Sequence, residues 1–261
     1  MALDFRPALG QGLHGTFIYS SPFTVSMWFK PFDYVNPQML YFQQNALPDN
    51  YWKLELNSLD SGAGFGTLRL DAVSTDEGTG WPPTTRGVRF FRWNHVLAVF
   101  DSSLKISLNG ERLQTGDCIA PVGTDRTNLG YMTDNSDPIE NPDAAVKLFT
   151  GLIGEVMIWL GDITTDPRVV TALSKGDRRM RKFGTTPGVD RYWSLRKLDL
   201  YDEIQGTALA APMTMAAVAD HPPFLNDPMK MGRRRCGRVA GGRFVSLGGY
   251  YKPDERTVLV G

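Results

Sequence analysis

The feature that most constrains this chain is a two-residue hydrophobic period. It recurs in short runs separated by turn-forming residues. Phe23, Val25, Met27 and Phe29 alternate with smaller or polar neighbours until Lys30 and Pro31 stop the run. Trp52, Leu54 and Leu56 alternate with Lys53 and Glu55, and Leu68, Leu70 and Ala72 with Arg69 and Asp71. That period sends successive side chains to opposite faces of a strand, so each run predicts a half-buried strand. Residues 88–91 form a further short candidate. Residues 93–100 are nearly all apolar, which suits a central strand covered on both faces. Residues 103–107 alternate again, and Asn109-Gly110 follows. Asn-Gly accepts positive φ at both positions, so the strongest hairpin signal lies there, with Glu111, Arg112 and Leu113 opening its second arm. Residues 148–160 are the last strong apolar stretch, with Gly151 and Gly154 marking bends or a bulge.

One helix stands out, over residues 167–175. Asp166 can cap it, Pro167 fits its first turn, Val169, Val170 and Leu173 give it an apolar face, and Gly176 can end it. A closing strand is expected over residues 190–195. Many short strands with so little helix predict an all-β antiparallel jelly-roll sandwich. We place the sandwich domain at residues 1–207 and an extended basic arm at 208–261. In the arm, residues 221–223 (His-Pro-Pro) are expected to be extended, 233–238 form an arginine cluster in the sequence, and 243–247 and 257–260 are short strand candidates.

Charge supports that division. The whole chain carries 28 Lys or Arg against 28 Asp or Glu, which argues against a surface that wraps nucleic acid. The arm holds 8 basic against 4 acidic residues, so a basic arm follows an acidic body. Such an arm is expected to dock on something acidic. With 42% hydrophobic residues the chain can build a substantial core. Cys118 and Cys236 make no disulfide framework, and a reduced environment is expected. No apolar run resembles a secretory leader or reaches the ~18 residues of a membrane span, so no membrane partner is expected.

Four stretches carry a resemblance to the laminin-G, or concanavalin A-like, jelly-roll superfamily. They are FTVSMWFKP at 23–31, WNHVLAVFD at 93–101, ISLNGE at 106–111 and FTGLIGEVMIW at 149–159. The helix at 166–176, the segment VDRYWSL at 189–195 and the arm that follows resemble the layout of accessory structural proteins of tailed bacteriophages. The resemblance implies a virion protein assembled in the host cytoplasm, such as a capsid decoration protein. Its implied partners are the major capsid protein, other virion proteins and further copies of itself.

Candidate sites are weighed residue by residue. Glycan hydrolysis needs two carboxylates at a suitable separation. Glu155 stands alone in its run, and Glu55 has no near acid on its face, so no catalytic residue and no enzymatic activity are expected. His14, His95 and His221 show no metal-ligand spacing, and His95 is expected to be structural. No organic cofactor is implied. The oxygen-rich loop at 134–143 offers Asp134 and Asp137 as first ligands for Ca²⁺, although Asp and Asn also simply build turns. Trp81, in an exposed loop, suits stacking on a sugar or anchoring of the loop itself. In the arm, Phe224, Phe244, Tyr250 and Tyr251 are the expected partner-binding anchors, with Arg233, Arg234, Arg235 and Arg238 as the rim. The expected function is therefore non-enzymatic docking on a particle through the arm. The alternative is a carbohydrate-binding adhesin, and a glycan hydrolase ranks third.

Overall fold

The computed structural model describes residues 2–6, 12–15, 17, 19–44, 50–57, 65–74, 82–121, 126–133, 145–176, 189–195, 200, 204, 209, 216–218, 236–239 and 243–246. It is a sandwich of two antiparallel sheets with one short helix. The strands are β1 (Ala2–Phe5), β2 (Leu13–Gly15), β3 (Phe23–Pro31), β4 (Gln38–Gln44), β5 (Tyr51–Leu56), β6 (Thr67–Val73), β7 (Thr84–Arg86), β8 (Asn94–Phe100), β9 (Ser103–Leu108), β10 (Gln114–Asp117), β11 (Arg126–Leu129), β12 (Met132–Thr133), β13 (Ala145–Val146) and β14 (Gly151–Leu160). The helix α1 (Pro167–Ser174) follows, then β15 (Val189–Trp193), β16 (Ala216–Val218), β17 (Cys236–Val239) and β18 (Arg243–Ser246).

The first sheet runs β10-β9-β8-β3-β14-β1-β16, and β15 also pairs with β14. The second runs β2-β11-β4-β5-β6-β7. Their inner faces meet on the alternating residues of the sequence. Phe23, Val25, Met27 and Phe29 of β3 oppose Trp52, Leu54 and Leu56 of β5 and Leu68 and Leu70 of β6 in one core cluster. Phe23 stacks on Phe100 at 4.7 Å between ring centroids, and Trp52 meets both rings edge-on. Each such side chain contributes roughly 1.5–3 kcal/mol through burial, and each aromatic pair about 0.5–1.5 kcal/mol more.

The outward side of the first sheet is covered too. Leu97, Met157, Trp159, Val189 and Tyr192 pack with Val169, Val170 and Leu173 of α1 in a second cluster. The helix has its expected signals: the Asp166 carboxylate accepts from the Arg168 amide, Pro167 is its first residue, and Gly176 follows with φ +71°. The run 23–29 is therefore not half-buried, because Thr24, Ser26 and Trp28 are buried on its other face.

The Asn109-Gly110 hairpin forms with φ of 53° and 78°, although its second strand begins at Gln114 rather than at Glu111. Residues 88–91 are loop; the strand expected there is β7, just before them. Gly87 (φ +98°) and Phe91 (φ +58°) break the extended backbone on either side of Val88. Around Gly154 the pairing of β14 with β3 shifts register, which is the bulge the glycine suggested. Gly151 (φ +151°) lets β14 pass β3: a Cβ there would lie 2.2 Å from the Lys30 carbonyl oxygen.

Beyond residue 208, Leu209 is buried in the main core and Ala216–Val218 adds an antiparallel strand to β1. Strands β17 and β18 pair with each other as a separate two-stranded sheet. The expected strand at 257–260 lies outside the described residues. No helix among the described residues is long and apolar enough to cross a membrane.

Candidate functional site

The outward face of the second sheet carries polar side chains that are nonetheless buried. Cross-strand register lines up His14, Asn128, Phe42, Lys53 and Asp71 as one row over five strands. The next row holds Met39, Glu55, Arg69 and Thr84. On the other side lie Arg126, Gln44, Tyr51 and Val73. The alternation that sends Leu54 and Leu70 inward requires Lys53, Glu55, Arg69 and Asp71 to point outward together.

Those charges form a continuous network. The Lys53 ammonium is 3.5 Å from the Glu55 carboxylate and 3.6 Å from that of Asp71. Arg69 reaches Asp71 at 2.9 Å, and Lys147, just before β14, reaches Glu55 at 2.6 Å. Among the described residues, three cations thus surround two carboxylates. Lys53, Glu55, Arg69 and Asp71 are all buried. Buried charges persist only when paired in this way. Tyr51, Arg126 and Lys147 are half-buried and mark where the face meets solvent. Phe42 and Tyr51 supply aromatic surface beside Lys53, their rings 5.3 Å apart.

Asn128 is the exception to this pairing. It is 0% exposed, and neither oxygen nor nitrogen of its side-chain amide has a hydrogen-bond partner among the described residues. An unsatisfied buried amide costs about 1–3 kcal/mol and calls for an explanation.

The outer face of the first sheet holds the other polar cluster. His95 Nε2 lies 2.8 Å from Ser26 Oγ, and its ring packs on Trp28. Burial pushes the imidazole down to about 3, so it is neutral at ordinary pH. Glu155 accepts a hydrogen bond from the Tyr192 hydroxyl and is likewise buried. With Ser26 Oγ on its Nε2 and Trp28 against its ring, His95 belongs to a structural serine–histidine pair. The Cys118 thiol donates to the Asp101 carbonyl oxygen; burial pushes its pKa up to about 12 and keeps it protonated.

The sequence expectations meet the structure unevenly. Glu55 does have an acid near it, since Asp71 stands one strand away on the same face; register between strands, invisible in either run alone, creates the pair. The pair is unsuited to glycoside hydrolysis, because Lys53 occupies the space between the carboxylates where a water or a glycosidic oxygen would have to sit. Trp81, Asp134 and Asp137 lie outside the described residues, as do Phe224, Arg233, Arg234, Arg235, Tyr250 and Tyr251. Arg238 and Phe244 are cross-strand partners in the β17–β18 hairpin. No cluster of metal-ligating side chains occurs among the described residues. Sequence reading missed Asn128, Phe42 and Lys147. The recoverable signal was charge complementarity, Lys53-x-Glu55 facing Arg69-x-Asp71.

Residues 12–166 match the model of the family described as the concanavalin A-like lectin/glucanases superfamily. No curated protein matches the sequence. Among solved structures, a candidate carbohydrate binding protein from Bacteroides ovatus ATCC 8483 is 14% identical with a TM-score of 0.57, the likeness covering 85% of this chain and 61% of that one. A heptameric SAP-like pentraxin from Limulus polyphemus is 14% identical with a TM-score of 0.50, covering 74% and 90%. The CBM40 of the Ruminococcus gnavus IT-sialidase, bound to α2,3 sialyllactose, is 19% identical with a TM-score of 0.47, covering 60% and 84%. At these identities the likeness is one of fold.

Proposed function

Because the chain belongs to the concanavalin A-like lectin/glucanases superfamily, with its match spanning 12–166, we propose that it is a non-catalytic carbohydrate-binding protein whose second sheet receives the sugar on its outward face. Asn128 is the observation that carries this reading. Its amide, covered in the free protein, offers a donor beside an acceptor with no hydrogen-bond partner among the described residues, and a sugar hydroxyl admitted where the covering side chains part would complement both. Around it stand the features a sugar site uses: ion-paired side chains with fixed geometry, and the Phe42 and Tyr51 rings for the apolar face of a pyranose. The likeness in fold to the candidate carbohydrate binding protein from Bacteroides ovatus is in keeping with it.

The decisive variant is Asn128→Leu, close in volume and unable to hydrogen-bond. Removing the orphaned amide is expected to leave folding intact or to stabilise it by about 1 kcal/mol, while glycan-array signal is lost. Unchanged glycan binding in Asn128→Leu, or no glycan bound by the wild type, would refute the proposal. Reducing-sugar release from any polysaccharide would restore the hydrolase reading.

A second reading, attachment to a bacteriophage particle as a decoration protein, has one observation in its favour. A segment beyond residue 208 adds main-chain hydrogen bonds to a sheet edge, and a separate hairpin follows it. Arms that dock by strand addition do the same.

A further inference from the structure

The second candidate surface lies at one end of the sandwich, away from the sheet face. Three connections converge there: residues 32–37 after β3, Phe65-Gly66 before β6, and 87–93 between β7 and β8. The Phe91 amide donates to the Pro31 carbonyl, and the Gly87 and Val88 amides both donate to the Gly66 carbonyl. Asn94, fully buried, donates to the carbonyls of Arg89 and Arg92 and accepts from the Arg89 amide, which holds the third connection rigid.

On this frame sit more exposed aromatic side chains than elsewhere on the described surface. Phe65 is 67% exposed, Phe91 59% and Tyr34 56%. Phe91 lies nearly parallel to Phe32 at 6.0 Å, and Tyr34 meets Phe90 edge-on at 6.2 Å. Two ring pairs and the exposed Phe65 thus share one end of the sandwich and together form an aromatic shelf. Phe91 also has φ +58°, a backbone that bulky residues rarely adopt, and its exposed side chain gains little burial within this chain.

Arg86 ends β7 beside this loop, and the loop itself carries Arg89 and Arg92. All three are exposed, and none has an ion-pair partner among the described residues. The nearby Asp33 does not compete for them, because its carboxylate accepts from the Val35 and Asn36 amides and the Asn36 side chain. A partner that fits must offer apolar faces for the rings and regularly placed anions for the guanidinium groups. An acidic polysaccharide does both in every repeat: the C–H face of each ring stacks, and each carboxylate takes an arginine.

We propose that this aromatic–arginine shelf is a second carbohydrate site, one that selects polyuronates. The assignment rests on the carbohydrate-binding reading above and uses none of the residues of the sheet face.

The test compares retention of the full chain by polygalacturonate, neutral dextran, poly-L-glutamate and phosphatidylcholine vesicles with and without phosphatidylserine. Polygalacturonate is expected to bind best, with affinity that falls as salt rises. Phe91→Asn suits the positive φ, so the loop should persist; it and Arg89→Gln/Arg92→Gln are each expected to lower affinity roughly tenfold with Tm unchanged. Equal binding of poly-L-glutamate would mean charge alone or an acidic protein partner. Capture only by phosphatidylserine vesicles would mean a membrane surface. Either result, or polygalacturonate binding untouched by the variants, overturns the assignment. If glycans bind in the wild type and fail in Asn128→Leu while polygalacturonate is ignored, the shelf assignment alone falls. If no glycan of either kind binds, the carbohydrate reading falls with it.

Discussion

His95 shows how a residue type can mislead when read alone. Histidine is the common acid or base of catalysis, yet here it faces Ser26, packs against Trp28 and stays neutral because burial disfavours its charge. The sign of its effect on stability follows. The unfolded ring binds a proton near pH 6.5 and the folded ring only near 3, so the unfolded state takes up the extra proton as pH falls. The stability that depends on a neutral His95 is complete above pH 6.5 and declines below it by up to about 1.4 kcal/mol per pH unit. In His95→Gln, urea denaturation between pH 6.5 and the carboxylate range should lose that slope. A slope equal to the wild type's would mean that another group titrates there.

At the scale of elements, the legible strands were those whose period survives folding. Tyr51–Leu56 and Thr67–Val73 alternate cleanly because they lie straight in the middle of a sheet. Strand β4 was not legible, because a register shift between Met39 and Tyr41 sends Leu40 and Tyr41 to the same core and breaks the alternation. Strands β1 and β2 are too short to show a period at all. The helix was readable from its cap, its proline and its three apolar residues, but what it covers was not. Leu173 shares one buried cluster with Leu97, Met157 and Trp159, apolar residues that the sequence alone leaves on an outer face. Leu173→Ala should therefore cost about 2–5 kcal/mol, the range for truncation in a packed interior. A loss below about 0.5 kcal/mol would mean that the helix rests only loosely on the sheet.

For the whole molecule, the sandwich could be read from hydrophobic pattern, whereas the candidate site could not. Lys53, Glu55, Arg69 and Asp71 were recognisable as the polar sides of their strands. Their union with His14, Phe42 and Asn128 depends on pairing among five strands spread over more than a hundred residues. The same separation governs the arm. Deleting residues 219–261 keeps β16 and Leu209, and is expected to leave Tm and sheet-face glycan binding unchanged while removing attachment to any particle the chain decorates. Attachment that survives this deletion would assign docking to the sandwich itself. A deletion beginning at 208 would confound the two, because it also strips a strand from β1 and a side chain from the core.

Strand β1 has one further implication, for how the protein is made. Its neighbours, residues 151–153 on one side and 216–218 on the other, follow it in sequence by well over a hundred residues. During translation the Ala2–Phe5 segment leaves the ribosome long before either neighbour exists, its amide and carbonyl groups bare. The nascent chain therefore spends most of its synthesis with an open seam, and the last stitch comes from the region that also leads into the arm.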